Sequence, residues 1–492
     1  MLNQKLIINM LKTKKLLLST GISLALICCS TLAKNNKNQL PEIGAAGFSV
    51  LSIDKEQFIG DAMMKQVRAS QPLLHDPVLN EYINSLGNLL VKNANDVNYA
   101  FDFFIVNSKE LNAFAFFGGH IGIHSGLITT ADNESELASV IAHEISHVTQ
   151  RHLARRLEAQ SRSQPLSIAG IASGILLALI NPNLGMAALT TSMAASQQSG
   201  INYTRGNEKE ADRVGISLLA NSGFDPNGAP NFFGKMAEKF RYISKPPAML
   251  LTHPMPDSRI SDARIRAQNY PVVHLKPSLQ FELTKARILA RYERNPKTNI
   301  EMFEGLLKFE RYELKEAVLY GLALSYLANN TYDKARDILE KLIKNDPNNL
   351  FYADAISDVY IATKEFDKAE KLLKRLSLLM PNNQIVALNY ANVLQEANQL
   401  DQASSLLQDF LITQPNHFIG NDLLTTIYRK QDKIGLMHAS KAEVFALLGI
   451  YPKAIDELQT AIKFSSDSPL FIKRLKARIL QFRAQEEKLQ RL

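Results

Sequence analysis

Residues 142–147 read Ala-His-Glu-Ile-Ser-His. The residues before them, 134–141, contain strong helix formers and an apolar stripe without glycine or proline, and they predict a helix that continues through the hexapeptide. Residues four apart lie on the same face of a helix, so the imidazoles of His143 and His147 can bind one metal ion. Glu144 lies between them and can reach a metal-bound water as its general base.

A second motif, Asn-Glu-Lys-Glu-Ala-Asp, occupies residues 207–212. Glu208 offers a third ligand, and Asp212, four residues later on the same helical face, can hydrogen-bond a ligand histidine. The alternative for Asp212 is a carboxylate near a helix N-terminus that interacts only with the helix dipole. Three protein ligands leave a tetrahedral zinc one open position for water, as in catalytic sites. The two motifs therefore predict one catalytic Zn²⁺ per chain.

The spacing of the motifs indicates which class of zinc peptidase the chain resembles. The metzincin pattern requires a third histidine at position 153, which is Leu153, and His152 is one residue out of step. A ligand Glu208 on a second helix, followed four residues later by Asp212, resembles the gluzincin arrangement instead. A His-Glu-x-x-His sequence also occurs by chance on ordinary helices, but the downstream motif argues against that alternative.

The first 33 residues have the features of a secretory signal: a basic front, an apolar stretch from Leu16 to Ile27 and small residues near a cleavage site at Ala33. The apolar stretch is shorter than the ~20 residues that a spanning helix needs. Met10 is an alternative start, since the residues after it already make a compact signal. Export is therefore predicted, with no transmembrane span in the mature chain.

Length and composition limit the number of domains, the use of cysteine and the classes of partner that the chain can have. A chain of 492 residues is too long for one ordinary core, so two or more domains are expected. The two cysteines, Cys28 and Cys29, lie in the predicted signal, and the mature chain would have no disulfide and no thiol chemistry. Lipoprotein processing at either cysteine is the weaker alternative, because no small residue precedes them.

Removal of four lysines and no acid with the signal lowers the formal net charge from +8 to about +4, and a nucleic-acid partner is not indicated.

Residues 101–106 are a strand candidate, and residues 112–123 read as a hairpin that turns at the glycines. The hairpin resembles the edge-strand region of the M48 family of zinc peptidases, where an exposed strand can pair with an extended substrate backbone. Asn112 and Ala113 match that family's pattern and are the predicted substrate-binding residues. Phe117 stands where family members usually have proline. The alternative is a purely structural hairpin.

The loop at residues 252–259, Thr-His-Pro-Met-Pro-Asp-Ser-Arg, contains two prolines that would hold His253 in a defined direction. In the M48 family this loop faces the active site. The resemblance implies that His253 caps the open position of zinc at rest or polarises the substrate carbonyl. Arg259 is expected to anchor the same loop or to bind a substrate carboxylate. The alternative for His253 is an ordinary surface histidine.

Residues 166–195 form two apolar runs separated by Asn181-Pro182-Asn183. Each run is shorter than a spanning helix requires. We expect a helical hairpin that covers the first domain. A flap that touches a membrane surface or guards the cleft is the alternative.

The C-terminal half repeats with a period of 34 residues, the length of a tetratricopeptide repeat. Less regular helical pairs flank the repeats at 279–312 and 418–464, and a basic last helix from Lys473 suits a capping role. Such repeats stack into a solenoid whose concave face binds peptides or proteins. The repeated positions are Pro347, Pro381 and Pro415; Ala335, Ala369 and Ala403; and Asp333, Asp367 and Asp401.

An exported M48-type domain followed by such repeats is similar to one group of peptidases of the bacterial periplasm. The resemblance implies a periplasmic protein whose repeats bind the outer-membrane barrel assembly machinery, and whose substrates are unfolded or stalled outer-membrane proteins. It implies an endopeptidase that assists assembly of beta-barrel proteins and degrades misassembled ones. The alternative is a chaperone-like assembly factor with a largely latent peptidase site.

We therefore expect an α+β, mainly helical chain. The predicted parts are a signal peptide at 1–33, a gluzincin-type metallopeptidase domain at 34–270, a linker at 271–278, and an α-solenoid of tetratricopeptide repeats with a basic capping helix at 279–492.

Overall fold

A computed structural model describes residues 51–163, 205–241, 248–254, 257–466 and 468–491. The signal predicted at 1–33 and the apolar segment at 166–195 lie outside these residues. Within the described ranges, no helix is both long and apolar enough to cross a bilayer. The chain is α+β and mainly helical, as predicted.

The N-terminal half packs helices around one small sheet. Its core is formed by fully buried apolar side chains, among them Leu79, Ile105, Ile141 and Phe232. In chain order the elements are α1 Ile53–Ser70, α2 Pro77–Val91, β1 Asp102–Val106, β2 Ala113–Phe116, β3 His120–His124, α3 Ser125–Thr130, α4 Glu134–Thr149, α5 His152–Ser163, α6 Arg205–Asn221, α7 Gly228–Phe240, α8 Ala248–Thr252 and α9 Asp257–Ala267.

The sheet has the order β1-β3-β2, so β2 lies at an edge. β1 pairs parallel to β3, and β2 pairs antiparallel to it. The turn between β2 and β3, Phe117–Gly119, has φ values of 77° at Gly118 and 82° at Gly119, which glycine adopts without the steric cost of a Cβ. The strand predicted at 101–106 and the hairpin predicted at 112–123 are both observed.

Helix α4 carries the hexapeptide through the middle of this half. Asn133 caps the helix by accepting a hydrogen bond from the backbone N–H of Glu136 at 3.1 Å, and acidic residues in the first turn complement the helix dipole. The helix packs against β2, α6 and α7, and nearly all its residues are buried. Polar side chains inside such a helix have to find partners within the protein.

The C-terminal half is a stack of helices. From α11 onward, each helix packs against the next one in the chain, as the predicted repeat requires. The elements are α10 Leu279–Ile288 with a π-helical extension Leu289–Glu293, α11 Pro296–Lys308, α12 Lys315–Ala328, α13 Tyr332–Asn345, α14 Leu350–Ala362, α15 Phe366–Leu379, α16 Gln384–Glu396, α17 Leu400–Thr413, α18 Phe418–Lys430, α19 Ile434–Leu447, α20 Tyr451–Lys463 and α21 Pro469–Gln490.

Two sets of positions explain the 34-residue period. One alanine per repeat is fully buried, where a larger side chain would separate the packed helices: Ala335, Ala369 and Ala403. One residue per repeat ends a helix with a φ between 56° and 60°, in the left-handed region: Asn330, Lys364, Asn398 and Asp432. Asparagine and aspartate tolerate this conformation better than most residues with a Cβ, and lysine does not share that advantage.

A buried ionic cluster joins the two halves. Arg287 of α10 donates to Asp76, at the start of α2, at 2.7 Å, and to Asp354 of α14 at 2.6 Å. It also contacts the hydroxyl of Tyr320 at 2.8 Å. Arg287 is only 1% exposed. These four residues are referred to as the junction cluster, and because buried charges require partners, they fix the first repeats against the N-terminal half.

Candidate metal centre

Helix α4 directs His143 and His147 to one point. Their Nε2 atoms are 3.0 Å apart, and both side chains are buried. Helix α6 crosses close by: a Cβ built on Gly215 would lie 3.2 Å from the Cα of His143. Glycine at this position therefore allows α6 to approach the backbone of the histidine helix.

Two further elements complete a cluster of possible ligands. Glu208 of α6 places Oε2 3.5 Å from Nε2 of His143 and Oε1 3.5 Å from Nε2 of His147. His253, after α8, places Nδ1 3.1 Å and 3.3 Å from the two oxygens of Glu208. One ligand atom from each of these four buried residues lies within 4.8 Å of the others. The four are referred to as the metal cluster.

Backbone hydrogen bonds fix the position of His253. Its N–H donates to the carbonyl of Met249 at 2.7 Å, and the N–H of Met249 donates to the carbonyl of Leu111 at 3.3 Å. Arg259 donates to the carbonyl of Pro254 at 2.8 Å. With 1% of its surface exposed, His253 is not the surface histidine that the sequence left as an alternative.

Asp212 and Arg259 surround the ligands. Asp212 Oδ1 lies 3.1 Å from Nδ1 of His143, on the ring edge opposite the metal cluster. Arg259 donates to both oxygens of Asp212 at 2.7 Å and lies 2.7 Å from Oε2 of Glu208. The sequence analysis predicted a histidine partner at Asp212, and the geometry suits that role. Arg259 is buried with its donors on groups of the protein, which favours a loop anchor over a substrate-carboxylate site.

The titration of the buried groups follows from these contacts. Burial alone would lower the pKa of His143, but its hydrogen bonds with Asp212 and Glu208 raise it to about 10, so metal binding has to release that proton. Burial raises the pKa of Glu144, which is fully buried with Oε1 3.5 Å from Nε2 of His253. Neither oxygen of Glu144 has a hydrogen-bond partner among the described residues.

Three residues without a predicted role, His152, Glu210 and Arg155, also contact this region. His152 Nδ1 lies 2.8 Å from Nδ1 of His147, and its Nε2 lies 3.1 Å from Oε2 of Glu210. Arg155 donates to the same oxygen at 2.7 Å. The only sequence signal was the extra carboxylate in the motif at 207–212, and its partner is visible only in the folded chain.

The donor set fits zinc. Imidazole nitrogens and a carboxylate oxygen are common zinc ligands, and Zn–N bonds of about 2.0–2.1 Å in a tetrahedral site place ligand atoms about 3.3 Å apart. The separations of 3.0 Å and 3.5 Å among His143, His147 and Glu208 are close to this value. Two imidazole nitrogens this close to each other and to a carboxylate are compatible with the binding of one zinc ion.

The predicted substrate-binding residues lie on the edge strand beside the metal cluster. Asn112 and Ala113 are fully buried where β2 begins, and β2 packs against α4. A cavity of about 20 Å³, lined by residues that include Phe116, His147 and Leu153, lies between that strand and α5. Asn112 and Ala113 are therefore closed to solvent with their backbone included, and their position alone does not distinguish substrate binding from a structural hairpin.

Comparisons with known proteins agree with this geometry. Residues 77–267 match Peptidase family M48, and residues 317–349 and 360–424 match tetratricopeptide repeats. The chain is 50% identical over 344 residues to the putative beta-barrel assembly-enhancing protease of Vibrio cholerae, covering 69% of this chain and 70% of that protein. It is 47% identical over 330 residues to the beta-barrel assembly-enhancing protease of Escherichia coli K12, covering 66% and 67%. Metalloprotease LoiP of Escherichia coli is 28% identical over 239 residues, covering 46% of this chain and 87% of that protein.

The fold and the metal cluster thus define a zinc metallopeptidase joined to a tetratricopeptide-repeat solenoid. The matches to the Vibrio cholerae and Escherichia coli assembly-enhancing proteases are longer than the peptidase domain alone. The chain belongs to the M48 peptidases and, among them, to the family of the beta-barrel assembly-enhancing proteases.

Proposed function

We propose that the chain is an endopeptidase in which His143, His147 and Glu208 bind one Zn²⁺ and Glu144 is the general base. The observation that carries this proposal is the convergence of two histidines and a carboxylate from two helices in one buried cluster. A purely structural zinc site would have no need of an additional unbonded carboxylate at Glu144.

Different residues of the chain have different roles in the proposed peptide hydrolysis. Bound zinc would supply a water of lowered pKa and polarise the scissile carbonyl. Glu144 accepts the proton of the attacking water on a carboxylate oxygen and passes it to the leaving amine. Because burial raises the pKa of Glu144, this carboxylate is a stronger base than an exposed glutamate. Asp212 Oδ1, 3.1 Å from Nδ1 of His143, would accept the proton of that nitrogen and so leave Nε2 free to bind zinc.

His253 supports a resting state in which the site is closed. It belongs to the metal cluster and is almost fully buried, so with His143, His147 and Glu208 it would complete four protein ligands. A tetrahedral zinc with four protein ligands has no position left for water. Movement of the loop that carries His253 would open that position, and the displaced imidazole could then stabilise the oxyanion of the substrate.

The edge strand supports recognition of extended substrate segments. The outer edge of β2 has no strand partner among the described residues, and β2 runs beside the helix of the metal cluster. An extended peptide can add to such an edge through backbone hydrogen bonds, which select unfolded chains over folded ones. Because Asn112 and Ala113 are fully buried, their backbone would pair with a peptide only after the groups that cover this edge move away.

The names of the relatives motivate the biological part of the proposal. We infer that the chain acts in the bacterial periplasm after removal of the predicted signal at 1–33. There it would assist the assembly of outer-membrane beta-barrel proteins and degrade those that are misassembled. The repeats would bind the barrel assembly machinery or the unfolded client and raise the local substrate concentration without changing the intrinsic rate.

A chaperone-like assembly factor with a largely latent peptidase is the second candidate. The observation that favours it is the buried His253 within the metal cluster. In this case the repeats and the edge strand would perform the main function, and hydrolysis would occur only after displacement of His253.

The test is cleavage of an unfolded model protein by the mature chain, with zinc content measured for every variant. We expect wild type to cut and Glu144→Gln to retain zinc but lose at least about 100-fold in rate. Glu134→Gln, on the same helix but outside the metal cluster, is the matched control and should cut like wild type. Measurable cleavage at equal rates by wild type and Glu144→Gln contradicts the proposed mechanism.

His253→Ala distinguishes the two candidates. If zinc-loaded wild type is inactive and His253→Ala cuts, the resting site is capped and the second candidate gains support. If both are inactive with zinc bound, capping by His253 does not explain the latency.

A further inference from the structure

Two residues outside the metal cluster extend the contacts of His147. The ring of His152 lies between Nδ1 of His147, at 2.8 Å, and Oε2 of Glu210, at 3.1 Å. Arg155 donates to that same oxygen at 2.7 Å. His152 is fully buried, so water cannot readily replace its contacts. A continuous path of polar contacts therefore leads from a candidate ligand to a partly exposed ion pair.

A break in the helix makes this path possible. Arg151, between α4 and α5, has a φ of 51°, which is uncommon for a residue with a Cβ. Its guanidinium donates to Glu56 at 3.0 Å and to the carbonyl of Leu51 at 2.8 Å, and these contacts hold the unusual conformation. In a continuous helix His152 would lie about 140° around the axis from His147. The break brings the two rings together instead.

The hydrogen bonds can run in only one direction when His147 binds a metal through Nε2. The proton of that ring is then on Nδ1, which donates to Nδ1 of His152. His152 must carry its own proton on Nε2, from which it donates to Glu210. Glu210 also accepts from Arg155 and is the end of the path. Each atom thus has the donor or acceptor role that metal binding requires.

The two ligand histidines are supported by carboxylates of the same helix. Asp212 contacts Nδ1 of His143 directly at 3.1 Å, whereas Glu210 reaches His147 through the ring of His152. Every carboxylate of the motif at 207–212 therefore has a position around the metal cluster: one as ligand and two behind the histidines.

We propose that His152 and Glu210 are positioning residues, which fix the tautomer and ring orientation of His147 and thereby set the affinity of the site for Zn²⁺. Outer hydrogen-bond partners of metal-binding histidines commonly have this effect. The inference rests on the proposed function, because it requires His147 to be a ligand.

The test measures the dissociation constant of Zn²⁺ by competition with a chelator, using the full mature chain. His152→Leu removes the acceptor for Nδ1 of His147 and should weaken zinc binding about 10–100-fold. His152→Asn retains an acceptor oxygen at a similar position and should restore most of the affinity. Glu210→Gln should have a smaller effect. Because Glu210 acts through His152, the double variant His152→Leu/Glu210→Gln should bind no more weakly than His152→Leu alone.

His120→Gln is the matched control. His120 is also buried and lies near two carboxylates, Asp61 at 3.1 Å and Asp102 at 3.4 Å, but it is not part of the metal cluster. The zinc affinity of His120→Gln should equal that of wild type. Melting of the zinc-free variants reports any loss of the fold, and if His152→Leu does not fold, the comparison of Glu210→Gln with wild type decides.

The outcomes separate this inference from the function on which it rests. Wild type that binds no zinc overturns the proposed ligand set and the inference with it. Wild type that binds zinc while His152→Leu binds equally tightly overturns the inference alone. An equal loss in His120→Gln shows a general effect of buried histidines and also overturns it.

Discussion

The metal cluster and the junction cluster use the same type of residue in different ways. Each contains or adjoins a buried arginine that contacts two carboxylates, Arg259 at the first and Arg287 at the second. At the junction, the carboxylates and Tyr320 match the arginine, and folding alone satisfies the charges. At the metal cluster, three histidine rings face each other and one carboxylate, an arrangement that suits an added cation.

The difference separates buried charges that folding alone pairs from a buried cluster that suits an added ion. A buried charge that folding fully pairs contributes to joining the two halves, whereas ligands held close together gain their main stabilisation from the ion they bind. The two clusters share no residue. Changes at one should therefore leave the other largely unaffected, and this independence can be tested.

Asp76→Asn has the largest expected effect. Asparagine retains the oxygen that accepts from the backbone N–H groups of Val78 and Leu79, but it removes the acceptor for Arg287. Loss of one partner from a buried ion pair costs about 3–5 kcal/mol, which denaturant titration should show as a lower free energy of unfolding. Zinc affinity should not change.

A control for this substitution is Asp333→Asn, because that carboxylate is 92% exposed beside Arg336. It should alter stability by less than about 1 kcal/mol. Equal stabilities of Asp76→Asn and wild type would mean that the junction cluster does not hold the halves together.

Removal of zinc should have the next largest effect. At a free zinc concentration 100-fold above the dissociation constant, binding to the folded chain stabilises it by about 2.7 kcal/mol. Thermal melting with and without a chelator should show this difference. Because the clusters share no residue, removal of zinc should lower the stability of Asp76→Asn by the same amount as that of wild type. A chelator that leaves melting unchanged is inconsistent with metal binding in the folded state.

Arg259→Gln should weaken zinc binding about 10–100-fold. The substitution removes the charge that holds Asp212 against His143 and the donor to the carbonyl of Pro254. Chelator competition measures the change, with Arg264→Gln on the exposed side of α9 as the control. If Arg259→Gln binds zinc normally but has an increased KM for peptides with a free carboxylate, the substrate-binding alternative is correct.

The smallest expected effect is the change, at low pH, in the stability that Asp76 contributes. Burial alone would raise the pKa of Asp76, but Arg287 holds it below its ordinary value of 3.8. A carboxylate whose pKa is lower in the folded chain than in the unfolded chain stabilises the fold. This stabilisation is complete above the pKa of the unfolded chain and is lost as the pH falls through the pKa of the folded chain. The stability difference between wild type and Asp76→Asn should therefore be full at pH 7 and about 1 kcal/mol smaller at pH 3. A difference independent of pH would exclude this ion pair as its source.

The sequence alone was sufficient for features that depend on local spacing. Helical periodicity places His143 and His147 on one face, and the structure brings their nitrogens within 3.0 Å. The 34-residue period predicted the helix pairs of the solenoid, since each repeat packs mainly against its neighbours. Glu208 could be proposed from its motif, because i, i+4 spacing links it to Asp212.

Only the tertiary structure showed the contacts that join distant parts of the chain. His152 was out of step as a ligand, yet the left-handed turn at Arg151 brings it against His147. Nothing near Asp76 in the sequence indicated that Arg287, 211 residues away, would bury its charge there. Local spacing fixes which side chains share a helix face. Partners from separate elements are set by the packing of those elements, because buried polar groups bond whatever groups the fold brings within reach.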